Sequence, residues 1–188
     1  MAANPQHRLT FAEYLAIERN AEIKSEFVAG EMFLMAGAST NHNRIVRNVL
    51  RTLSNQTLEG DCEVYPSDMR VKIEKLNQGR YPDISIVCGE QLFADEQKDS
   101  LLNPTVIIEV LSESTELYDR GKKFQDYQSL DSLREYLLIA QTPYCIEQFI
   151  KQAENIWTYK KFTNPDDIVQ FESTDCTLLL KDVYLKVA

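Results

Sequence analysis

This chain of 188 residues is poor in histidine and tryptophan, with two of the first and one of the second. Its four cysteines, Cys62, Cys88, Cys145 and Cys176, are widely spaced and form no CxxC pair. That combination excludes the Cys/His clusters of a structural zinc site, and it predicts reduced thiols rather than a disulfide framework. Long apolar runs are also missing: TVIIEVL and EYLLIA are too short to cross a membrane, and MAANPQHRLT lacks the apolar core of a signal peptide. A cytoplasmic protein with no membrane association is expected. Six glycines and six prolines are scattered, so there is no flexible tether, and no internal repeat is visible. The length and 44% apolar content fit one compact domain over 1–188. Basic residues are outnumbered by acidic ones, 20 to 29, for a formal charge of -9. Passive coating of nucleic acid is therefore disfavoured, because such binding rests on lysines and arginines displacing counterions. A nuclease whose acidic centre is neutralised by a divalent cation remains compatible with this balance.

Along the chain, Thr10 and Glu13 have the spacing of a capping box and open a short helix that sets Phe11, Tyr14 and Leu15 on one side. In SEFVAGEMFL, Ala29-Gly30 separates two β-prone runs as a hairpin turn does. From about Asn41 to Leu58, apolar Ile45, Val46, Val49, Leu50 and Leu53 recur at helical spacing, with Arg44, Arg47 and Arg51 on another face. Strand patterns follow at CEVYPSDMRVKI, PDISIVCG, TVIIEVLS and EYLLIA, with a helix from about Leu117 to Leu130. IEQFIKQAENIWTYKKF reads as a closing β-ribbon that turns near Ala153 to Asn155. The fold class expected is α+β (mixed α/β): a central mixed sheet flanked by helices, with an N-terminal hairpin and a C-terminal ribbon.

Two acids stand out. Asp83 follows Pro82, which cannot donate to a ladder and so marks a strand start; an isolated Pro-Asp is ordinarily a turn. Glu109 lies within VIIEVLS, where apolar neighbours surround it on both strand faces. A carboxylate there calls for a buried cation, a wet edge or a functional site. Carboxylates on adjacent strands can meet at about 5 Å, close enough to share a hard divalent cation through oxygen ligands. Downstream, Asp119, Lys123 and Tyr127 fall at i, i+4 and i+8 on one helical face, while Lys122 lies about a hundred degrees away. Without other context, Asp119 and Lys123 read as a surface ion pair.

Pro82-Asp83, Glu109 in IIEVLS, and DRGKKFQDY together resemble the Uma family, a restriction-endonuclease branch of the PD-(D/E)XK nuclease superfamily. The likeness runs from the TFAEYL helix and the EFVAGE hairpin, through His42, to the EYLLIA strand and the ribbon. It implies a restriction endonuclease-like core with Asp83 and Glu109 as ligands of Mg²⁺ or Mn²⁺. The wider superfamily places a lysine two residues after this glutamate, where this chain has Leu111. The Uma pattern carries its lysine on the later helix, at the position of Lys123. Glu26 matches the family's hairpin glutamate and would join the acidic cluster, although a lone glutamate before a turn is usually exposed. His42 either caps its helix or contacts a phosphate near that helix's positive end. Arg44, with Arg47 and Arg51, forms either a solvated face or a strip for nucleic-acid backbone.

Three functions compete. The first is a metal-dependent endonuclease acting on phosphodiester bonds of DNA, working as a homodimer. The second is a nuclease fold kept as a homodimeric structural or nucleic-acid-binding module. The third, a two-carboxylate glycosidase, fits worse, because the single Trp157 lies in the terminal ribbon rather than in a sugar-stacking cleft. If Asp83 and Glu109 do hold a metal, Glu109→Ala is expected to stabilise the metal-free protein by removing repulsion and desolvation.

Overall fold

The computed structural model describes residues 8–188; residues 1–7, which make up most of the stretch read for a leader, lie outside the described residues. Helix α1 (Phe11–Glu18) begins at the expected capping box, with the Glu13 N–H donating to Thr10 Oγ1 and the Thr10 N–H to Glu13 Oε2. Strands β1 (Ser25–Val28) and β2 (Glu31–Leu34) form the hairpin. Its two turn residues both have positive φ, 52° at Ala29 and 91° at Gly30, as a two-residue turn matched to strand twist requires. A Cβ on Gly30 would also come within 2.6 Å of Arg8 Cβ. Helix α2 (Thr40–Gln56) is capped by Ser39 and buries Ile45, Val49 and Leu53.

Then come β3 (Cys62–Pro66), β4 (Arg70–Ile73), β5 (Gln78–Arg80), β6 (Ile84–Cys88), β7 (Ser100–Leu101) and β8 (Val106–Val110). A helical segment follows: α3 (Glu116–Tyr118), a π turn over Asp119–Lys123, and α4 (Phe124–Tyr127). The chain closes with β9 (Glu135–Ala140), β10 (Cys145–Ala153), β11 (Ile156–Phe162), β12 (Ile168–Gln170), β13 (Thr177–Leu179) and α5 (Leu180–Val183). The six-stranded sheet runs β11-β10-β9-β8-β6-β3 and a five-stranded sheet runs β2-β1-β5-β4-β7, giving the mixed α+β architecture expected. Among the described residues no helix is long and apolar enough to cross a membrane.

Strand β8 explains why VIIEVL is nearly all apolar. Val106, Ile108 and Val110 face one core with α2 and α5, whereas Ile107 and Leu111 face a second with Phe124, Tyr127 and Tyr136. Both faces are covered, so alternation disappears. By strand alternation Glu109 belongs to the second face, toward the helical segment.

Several expectations need correction. CEVYPSDMRVKI is two strands in different sheets, because a turn after Pro66 redirects the chain. The closing ribbon is formed as expected by β10 and β11, and β10 also pairs with β9, so the ribbon extends the central sheet. The helix expected to reach Leu130 ends at Tyr127 and contains the π turn. Cys62 and Cys88, expected as reduced thiols, form a disulfide. They are register partners across the antiparallel β3–β6 pair, a closeness that their 26-residue separation conceals. Cys145 and Cys176 are free and buried.

Candidate metal centre

The site is built where β6 and β8 stop pairing. Their last paired residues are Ile84 and Ile108, so continuing the antiparallel register sets Asp83 opposite Glu109. Asp83 Oδ2 accepts the Val110 N–H at 2.7 Å, taking a backbone donor that the strand β6 no longer reaches. It also meets His42 Nε2 at 3.1 Å. The cap expected of His42 belongs instead to Ser39, whose hydroxyl accepts the His42 N–H. The helix start therefore delivers the imidazole to Asp83, while His42 Nδ1 is buried without a hydrogen-bond partner.

Glu109 is 3% exposed. Its Oε1 receives Lys123 Nζ at 2.8 Å and the Tyr127 hydroxyl at 3.2 Å. Lys123 therefore reaches from the helical segment to the glutamate, and Leu111 packs in the second core. The same ammonium lies 3.5 Å from Glu26 Oε1 and 3.6 Å from Asp119 Oδ1. Asp119 and Lys123 are 4% and 7% exposed, so the surface-pair reading was wrong; the π turn directs both inward. Lys122 points elsewhere, to Asp126 Oδ1 at 2.6 Å, with most of its side chain in solvent.

Glu26 is half-buried, because the hairpin lays it against Arg80. Arg80, 1% exposed, bonds Glu26 Oε2 and Asp126 Oδ2, both at 2.8 Å. Glu26 Oε1 also accepts the Tyr81 N–H. Arg80, Asp119 and Asp126 are thus supporting residues that the sequence reading did not single out as part of the site. An arginine in a short strand, QGR, carries no pattern that marks it; DRGKK in the family motif was the available signal for Asp119.

Four carboxylates share this place with one ammonium, and the proton affinities of Glu109, Asp119 and Glu26 reflect it. Burial, reinforced by Asp83 and Asp119 and opposed by Lys123, pushes Glu109 up to about 8. Burial likewise raises Asp119. Burial works to raise Glu26 too, but Lys123 and Arg80 prevail and hold it below the usual range. For Lys123 burial is overcome by Glu109, Glu26 and Asp119, which keep the amine protonated well above its ordinary value.

Whether a divalent cation fits is a question of donors. Asp83 Oδ1 and Glu109 Oε2 receive no hydrogen bond among the described residues, and both are hard oxygens. Glu26 has both oxygens engaged, Oε2 by Arg80 and Oε1 by Lys123 and the Tyr81 N–H. Among the described residues no group of three or more His, Cys, Asp or Glu could hold a metal ion. Two carboxylates still suit Mg²⁺, which commonly keeps several waters and takes its remaining ligands from substrate phosphate.

Beyond His42, the outer face of α2 carries Arg44, Arg47 and Arg51. Arg44 Nη1 bonds Asn41 and Arg47 bonds Asn48, both neutral partners, and none of the three arginines pairs with a carboxylate among the described residues. Most other basic side chains are in ion pairs, so this unpaired strip is distinctive in an acidic protein.

Comparison with known proteins bears on the fold and the family. A solved structure described as "a putative nuclease" from Anabaena variabilis superposes with a TM-score of 0.77, covering 94% of this chain and 97% of the other at 18% identity. At that identity the likeness shows the restriction endonuclease-like fold. Two Synechocystis sp. proteins are similar in sequence, both of them uncharacterized. The protein sll1609 is 37% identical over 87% of this chain and 92% of its own length. The protein slr1290 is 30% identical over 98% of this chain and 95% of its own. The family model described as "Putative restriction endonuclease" matches residues 11–178, and the chain belongs to that family, Uma2.

Proposed function

We propose that the protein is a divalent-metal-dependent endonuclease that hydrolyses phosphodiester bonds of DNA. The observation that supports this most is the meeting of Asp83 and Glu109 at the ends of adjacent strands with Lys123 on the same glutamate. Asp83 Oδ1 and Glu109 Oε2 would hold Mg²⁺ or Mn²⁺, which when bound supplies an activated water and offsets charge on the attacked phosphate. Lys123, fixed by its acids, presents a positive charge beside the reacting phosphate and steadies the charge that develops there. His42 orients Asp83, and Glu26, held by Arg80, adds a negative charge beside Lys123. Arg44, Arg47 and Arg51 would follow the sugar-phosphate backbone and position it without reading sequence. A homodimer, the common two-fold assembly, would offer one site to each strand of a duplex. The cytoplasmic placement proposed from composition stands against the Cys62–Cys88 bond, since disulfides persist mainly in oxidising compartments.

A specific observation favours a second reading, a catalytically silent binding module: the Lys123 ammonium already lies within ion-pair distance of Glu109, Glu26 and Asp119. Plasmid nicking separates the two. Wild type with millimolar Mg²⁺ or Mn²⁺ is expected to nick supercoiled DNA and Lys123→Ala is not; no nicking by wild type on any DNA or RNA substrate would favour the binding module.

A further inference from the structure

Lys123 has three acidic neighbours, and they are not equivalent. Glu109 is nearest, at 2.8 Å, yet its other oxygen accepts no hydrogen bond among the described residues and is the one proposed above to hold the metal. Glu26 is already committed to Arg80 at 2.8 Å and to the Tyr81 N–H. Asp119 has no other cation within ion-pair distance among the described residues, and it is as buried as the lysine itself. It also sits on the same π turn as Lys123, so the pair holds together without ordering any further chain. Tyr136 fixes that turn by donating its hydroxyl to the Asp119 carbonyl at 3.0 Å.

A divalent ion on Glu109 would repel the ammonium and draw on the carboxylate that now holds it. Released to solvent, Lys123 would lose its place at the reacting phosphate. Building on the metal-centre reading above, we propose that Asp119 is the positioning residue for Lys123. It receives the ammonium when a divalent cation engages Glu109, and it keeps the lysine inside the site. The sparse family motif then gains a physical reason: the aspartate and the lysine of DRGKK act as one unit.

NMR of protein labelled with ¹³C and ¹⁵N, titrated with MgCl₂ in the absence of DNA, tests this. In wild type the Lys123 ¹⁵Nζ cross-peak, visible only for a protected ammonium, is expected to persist through the titration while the Asp119 carboxylate ¹³C signal shifts. In Asp119→Asn the lysine cross-peak is expected before Mg²⁺ and to vanish once Mg²⁺ is added. Persistence of the peak in Asp119→Asn with Mg²⁺ would overturn the proposal. So would an Asp119 signal that stays still in wild type while Glu109 responds, a result that does not depend on the variant folding. If neither Asp83 nor Glu109 responds to Mg²⁺, the metal-centre reading itself fails, and this inference with it.

Discussion

Replacing Glu109 by glutamine removes a buried charge and leaves the shape almost unchanged, so its effect on stability reports whether that charge is tolerated. Burial and the neighbouring acids raise Glu109 from 4.5 to about 8. A raised acid favours the protonated folded state. Its contribution is fully present below pH 4.5 and is lost as pH climbs through about 8. At roughly 1.4 kcal/mol per pH unit, the penalty on the wild type is about 1 kcal/mol at pH 5, about 3 at pH 7 and about 5 at pH 9. These are ceilings, because relaxation and water penetration soften buried charges. Asp119 titrates in the same direction in both proteins and largely cancels in the difference. Urea denaturation in EDTA at these three pH values is therefore expected to show Glu109→Gln gaining on wild type as pH rises and levelling off above 8. A variant that is less stable by a constant margin, or that falls further behind at high pH, would refute the reasoning. Glu109 and Lys123 would then be a net stabilising ion pair, and the carboxylate would have no need of a metal. Glu109→Ala, expected from the sequence to be stabilising, is a poorer probe, since it also removes packing around Tyr127 and deprives Lys123 of its nearest partner.

Other consequences follow from the same geometry. Lys123→Met leaves Glu26, Asp119 and Glu109 without their shared cation and is expected to cost about 3–5 kcal/mol at pH 7. Glu26, held low partly by Lys123, contributes stability above its ordinary value of 4.5, so the loss should shrink as pH falls below 4.5 and through the depressed folded value. Binding of Mg²⁺ at pH 7 should displace a proton from Glu109, which burial raises to about 8, seen as calorimetric heats that differ between buffers of different ionisation enthalpy. Heats that do not depend on the buffer would contradict it. Arg47→Gln and Arg51→Gln should each weaken DNA binding about equally across sequences and reduce the salt slope by about 0.9. Unchanged slopes would return α2 to an ordinary solvated face.

Much of the scaffold was legible because its signals are local. The α1 capping box, the Ala29-Gly30 turn and the α2 periodicity each depend on residues within one or two turns of chain. Glu109 was legible as an energetic anomaly, a charge in a strand covered on both faces. What escaped depends on partners far apart in sequence. Arg80 acquires meaning only when the hairpin brings Glu26 to it, 54 residues away. Cys62 and Cys88 look unrelated until β3 and β6 align them. Asp119 was misplaced for a different reason: i,i+4 spacing says which residues share a helix face but not whether that face meets solvent, and here it is buried.

A crystal of the protein soaked in millimolar Mn²⁺ and measured for anomalous scattering tests the central claim most directly. The expected result is a single peak bridging Asp83 Oδ1 and Glu109 Oε2 at about 2.0–2.2 Å from each, with waters completing the shell. A map with no peak between those carboxylates, or with manganese bound only elsewhere, would contradict it.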